Sequence, residues 1–132
     1  MPANSGPVKT PGIAGQYTAI GSVEVFDPAT SRFVRAGALA EGRAYATVTA
    51  LPDGTVLVVG GQEDFGQPID SVELFFLDAG TSRFFTAMAT PRAGHTATLL
   101  QDGRVLIAGG SDRASRSTET AELFEPAMVP AS

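Results

Sequence analysis

The segment VLVVGG at residues 56–61 is rewritten as VLIAGG at residues 105–110, 49 positions later. A fixed period of this length marks a chain built from stacked copies of one supersecondary unit. Setting residues 43–61 over 92–110 without a gap leaves 11 of 19 positions identical, among them Arg43/Arg92, Asp53/Asp102, Gly60/Gly109 and Gly61/Gly110. The same shift aligns VEVF at 23–26, VELF at 72–75 and AELF at 121–124. A third block, TSRF, stands at 30–33 and 81–84, a shift of 51. It reads as two extra residues, Phe76 and Leu77, offset by a shorter following segment.

Each block has the pattern of a strand. TATLL, then Asp-Gly, then RVLIA is two apolar, β-branched runs around a turn dipeptide. Asp-Gly predicts a hairpin with a type I′ turn, in which both central residues take positive φ. The second run is apolar at nearly every position, which predicts a strand covered on both faces. SVELFFL and SRFFTA supply two more strands. The unit is therefore four short antiparallel strands, and no apolar stripe of helical period runs for three turns.

These residues carry a resemblance. An apolar strand closed by Gly-Gly, a variable loop, an aromatic-Asp-Pro element and a later aromatic together resemble the kelch repeat. Gly60–Gly61 and Gly109–Gly110 match the glycine pair, Phe26-Asp27-Pro28 matches the aromatic element, and Phe124-Glu125-Pro126 matches it with Glu for Asp. Phe33 and Phe84 stand where the family often has tryptophan. PRAGHTATLLQDGRVLIAGG is similar to the bacterial kelch branch and to the central β-propeller of galactose oxidase. The resemblance covers residues 22–126 and implies an all-β fold of kelch-type blades, each a four-stranded antiparallel sheet.

Propellers close with about 4–8 blades, and the strands here amount to about two to two and a half. The expected architecture is thus a partial or oligomer-completed propeller. Residues 1–12 are expected as an N-terminal tail, 13–42 as the last two strands of a blade, 43–91 as a complete repeat, 92–126 as a repeat lacking its last strand, and 127–132 as a C-terminal tail.

Composition excludes several function classes. The net charge is −5 and the 9 Lys and Arg form no cluster, so no nucleic-acid footprint is expected. No run approaches the ~20 apolar residues of a membrane span, and the first residues lack the apolar core of a signal peptide. The chain reads as cytoplasmic as written, or as extracellular if its start has been truncated. With no Cys, two tyrosines (Tyr17, Tyr45) and one histidine (His95), the Cys-modified tyrosine and histidine ligands implied by the copper enzyme are not available. No catalytic residue, cofactor or metal is expected.

His95 reads as a structural imidazole and Asp53 and Asp102 as turn residues. Glu24, Glu73 and Glu122 recur at one repeat position. Buried carboxylates need partners, so Arg43 is expected to pair with Glu73 and Arg92 with Glu122, and Arg92→Met to destabilise the fold without touching a binding surface. The glycine pairs read as sites of unusual φ and close backbone approach.

The loops at 62–71 and 111–120 differ between units whose strands agree. Rigid scaffolds present recognition residues on such loops. The candidates are Asp64, Phe65 and Gln67 in the first and Arg113 and Arg116 in the second. The expected activity is binding, of a protein partner or a second copy, without nucleic acid or membrane. The alternative is a segment of a larger propeller enzyme whose catalytic residues lie in other blades.

Overall fold

The protein is seen in a computed structural model that describes residues 8–9, 17–112 and 116–125. Among these, nine strands form three antiparallel sheets, and none closes into a barrel. A two-residue ladder also joins β1 (Val8–Lys9), in the stretch 1–12 expected as a tail, to β2 (Tyr17–Thr18), in the segment 13–42 expected to supply the last two strands of a blade. β3 (Ser22–Asp27) and β4 (Arg32–Ala38) make the first sheet. β5 (Thr47–Ala50), β6 (Val56–Val59), β7 (Ser71–Phe76) and β8 (Thr81–Ala87) make the second, in chain order. β9 (Thr96–Leu99), β10 (Val105–Ala108) and β11 (Ala121–Phe124) make the third. The sheets are blade-like and fit a partial propeller. No helix among the described residues is long and apolar enough to cross a membrane.

The Asp-Gly hairpins form, but not with type I′ turns. Gly54 N–H donates to Leu51 C=O at 3.0 Å while Leu51 N–H donates to Thr55 C=O at 2.8 Å. Gly54 has φ +90°, whereas Asp53 is not among the residues with positive φ. This is a three-residue loop, a type I turn followed by a left-handed glycine. Pro52 suits the first central position of such a turn, and the Asp53 carboxylate accepts the Thr55 N–H at 2.9 Å, which holds the bend without inverting Asp53. Leu100 to Arg104 repeats the geometry, with Gly103 at φ +89°.

The TSRF blocks are not structural equivalents. Glu24 pairs with Arg35 and Glu73 with Phe84, so the sheets keep the 49-residue register throughout. The turns 28–31 and 77–80 have equal length, and TSRF lies two residues further along in β8. A two-residue slip keeps each side chain on its own face, so the fold tolerates it. Both hairpins carry a β-bulge at the same place, between Val23/Glu24 and between Val72/Glu73. The bulge leaves Phe85 as the extra residue, and its ring meets Phe124 edge-on at 5.3 Å.

The core lies between the second and third sheets. Leu57, Val59, Val72 and Leu74 project to one side of the second sheet and pack with Val105, Ile107 and Phe124 of the third. The opposite side of the second sheet carries Val56, Val58 and Phe75, which with Val23 and Val25 of the first sheet line a groove of about 530 Å³. In β6, Leu57, Val58 and Val59 are buried and Val56, at the groove, is half-buried, whereas β10 is covered on one face: Val105 and Ile107 are buried, Leu106 and Ala108 only half-buried. The two strands share a sequence pattern and differ in whether a neighbouring sheet follows.

Candidate functional site

Two arginine brackets sit where each four-strand unit begins. Arg43, just before β5, reaches under β6 to β7. Its Nη1 donates to Gly60 C=O (2.9 Å) and Ser71 C=O (2.8 Å), and its Nε and Nη2 meet Glu73 Oε2 at 3.1 and 2.6 Å. Glu73 is fully buried and also accepts the Ala40 and Glu41 N–H groups and the Ser82 hydroxyl from β8. The carboxylate therefore ties the first and third strands together and anchors the crossover from the first sheet.

Arg92 repeats the bracket incompletely. Its Nη1 donates to Gly109 C=O and Thr120 C=O, and Nη2 meets Glu122 Oε2 at 3.3 Å. Its buried Nε has no hydrogen-bond partner. Glu122 accepts the Ala89 and Thr90 N–H groups, but no described fourth strand holds it, and its side chain keeps 23% exposure against 1% for Glu73. Glu24 is exposed and makes no ion pair among the described residues.

His95 is buried at the join between sheets, its Nε2 2.8 Å from the Thr47 hydroxyl of β5. Burial pushes its pKa below the usual value, the Val59 backbone opposes this, and the Arg92 charge adds to the lowering. Burial pushes the Glu73 carboxyl up, but the Ser82 hydroxyl, Arg43 and the Ala40 N–H outweigh it and leave the net shift downward.

Both shifts give stability that is lost as pH falls. Below 6.5 the unfolded chain protonates its histidine while folded His95 resists, and below 4.5 the unfolded chain protonates its glutamate while folded Glu73 resists. The urea midpoint should therefore decline in two stages on acidification, with His95→Gln removing the upper and Glu73→Gln the lower. A wild-type midpoint that stays flat from about pH 7 to pH 5 would contradict the His95 assignment.

Asp53 and Asp102 are each engaged within their own turns. Asp53 bonds Thr55 through its N–H and hydroxyl, and Asp102 bonds the Arg104 N–H and guanidinium. These local bonds hold both carboxyls below the usual range. Among the described residues no group of three or more His, Asp or Glu side chains is placed to hold a metal.

The loops between second and third strands are built on one frame. Glu63 N–H donates to Gln67 C=O in the first, and Asp112 N–H donates to Arg116 C=O in the second, both 49 residues apart. Phe65 is 72% exposed at the first tip and Gln67 is exposed beside it. The Asp64 carboxylate accepts the Ala19 N–H at 2.8 Å, so it fastens the loop to the segment before β3. Ala19, Glu41, Asp64 and Phe65 border one shallow depression. Arg116 is exposed at the base of the second loop, and Arg113 lies outside the described residues.

The sequence reading missed Tyr45. It sits at φ +59° and 62% exposed, in the position that the third unit gives to Gly94 at φ +70°. A bulky residue held left-handed stores backbone strain, and such strain gathers at functional positions. The signal was in the self-alignment, where tyrosine stands over glycine. Tyr45 adjoins the Phe65 loop through the Ala44–Gln62 bridge.

Gly60, Gly61, Gly109 and Gly110 all take positive φ. A Cβ on Gly61 or Gly110 would lie 2.7 or 2.8 Å from the carbonyl oxygen of Ala44 or Ala93. They serve backbone approach between strands of one unit. No protein-family model and no curated protein matches the chain.

Proposed function

We propose that the protein is a binding scaffold of kelch-type blades, without catalytic function, that recognises a protein partner through the loops at one end of its sheets. The observation that carries this reading is the pair of frame-matched loops with unlike contents. The first loop holds Glu63, Asp64 and an exposed Phe65; the sequence of the second has Arg113, and Arg116 is exposed at its base. A rigid frame with variable tips suits recognition, and large aromatics with arginine dominate protein interfaces. Tyr45 extends the same end with a second exposed ring.

Selection of a displayed protein library on the whole chain tests this. Phe65→Ser and Tyr45→Ala should each weaken the selected binders by about 1–2 kcal/mol with the melting curve unchanged for Phe65→Ser. Binders indifferent to Phe65, Tyr45 and Arg116→Glu alike would remove the proposed site.

A further inference from the structure

Among the described residues three surfaces are open, and each is covered in the sheet one repeat away. The outer side of the third sheet presents Leu106, Ala108, Ala121 and Leu123, the counterparts of Leu57, Val59, Val72 and Leu74 that the third sheet buries. The groove beside β5 and β6, with Val48 exposed at its rim, lies where the first sheet has no inner strands among the described residues. On β3, Phe26 is 48% exposed, while its counterparts Phe75 and Phe124 are 1% and 8% exposed.

We infer that a second copy of this chain answers all three at once by strand exchange, covering Leu106 and Ala108 and replacing β11, the strand that carries Ala121 and Leu123. The β3–β4 hairpin of one copy replaces β11 at the edge of the other copy's third sheet. β3 then pairs with β10 in the register of β7 on β6, which sets Val25 opposite Leu106, as Leu74 stands opposite Leu57. Phe26 takes the place of Phe124 against Phe85, and Glu24 takes the place of Glu122 beside Arg92, whose Nε lacks a partner. The freed face of β9 and β10 drops into the groove along Val56 and Val58 of the incoming copy.

The exchange is favoured by what each strand carries. Among the described residues β11 is a four-residue edge strand held by β10 alone, whereas β3 has six residues, is already paired to β4, and has Val23 where β11 has Ala121. Unpaired edges and exposed apolar faces drive such pairing. With β11 displaced, each copy contributes eight strands, the content of two whole four-stranded sheets. Two, three or four copies then close a ring of about four, six or eight sheets.

The chain has no cysteine, so engineered pairs report unambiguously. Native mass should show a closed species at two, three or four times 13.6 kDa. Glu24→Lys, exposed in the single chain, should abolish that species while the circular dichroism stays that of the wild type. Mixed Leu106→Cys and Val25→Cys chains should cross-link to each other, and neither should cross-link to itself. Leu106→Cys/Leu123→Cys, which staples β11 in place because those residues face each other, should be monomeric when oxidised and associated when reduced. A monomeric wild type overturns the inference, as does association of the stapled chain in its oxidised form, or association that survives Glu24→Lys.

Discussion

Arg43→Met is expected to destabilise the chain by about 3–5 kcal/mol, the range for removing one partner of a buried ion pair. The substitution keeps the apolar stem and leaves Glu73 as a buried carboxylate that has lost both guanidinium bonds. It also strips donors from Gly60 C=O, Ser71 C=O and the Ser71 hydroxyl. Arg92→Met should cost less, about 1–3 kcal/mol, because Glu122 keeps contact with water and the Arg92 Nε is already without a partner. Urea unfolding of both variants supplies the comparison. Adding Glu73→Leu to Arg43→Met should recover part of the loss, since the stranded charge goes with it. If the double variant is weaker than the sum of its singles, or if Arg92→Met is the more damaging, the bracket is not what holds the second sheet.

The legibility of this fold follows the repeat. Arg43 could be matched to Glu73 from sequence because both recur 49 residues on, and two copies of one spacing fix a contact that one copy would not. Strand positions were legible for the same reason, since residues 56–59 and 105–108 share an apolar pattern bounded by turn residues. Turn type was not. Asp-Gly reads alike in a two-residue and a three-residue loop, and Leu51 accepting from Gly54 decides between them. The TSRF shift misled because a motif two residues further along an edge strand presents the same face and leaves no trace in apolar pattern. Tyr45 was passed over because a residue's φ is not written in its own identity; only the aligned Gly94 disclosed it.

Burial was the least legible property, because it depends on the neighbouring sheet. Phe26, Phe75 and Phe124 occupy one repeat position and range from buried to half-exposed. Sequence identity between repeats implies equal local structure. Equal environment follows only where the stack continues on both sides.

Gly60→Ala and Gly109→Ala turn that distinction into a measurement. The two glycines are the same letter of the same motif, at φ +61° and +73°, so the left-handed backbone cost of a Cβ, about 1–2 kcal/mol, is common to both. At Gly60 the new Cβ would lie 2.5 Å from Arg92 C=O and 2.9 Å from the His95 ring, since the third sheet packs there. At Gly109 it meets nothing within 4 Å. Overpacking against backbone adds about 1–3 kcal/mol, so Gly60→Ala should be the more damaging by that margin in dilute solution, where single chains prevail. Equal losses would mean that the second and third sheets do not pack as seen here. Concentrated solution should reverse the apparent innocence of Gly109→Ala. In the exchanged assembly the next copy's Arg43 carbonyl stands over Gly109 as the Arg92 carbonyl stands over Gly60, and the added methyl would block assembly while leaving the single chain folded.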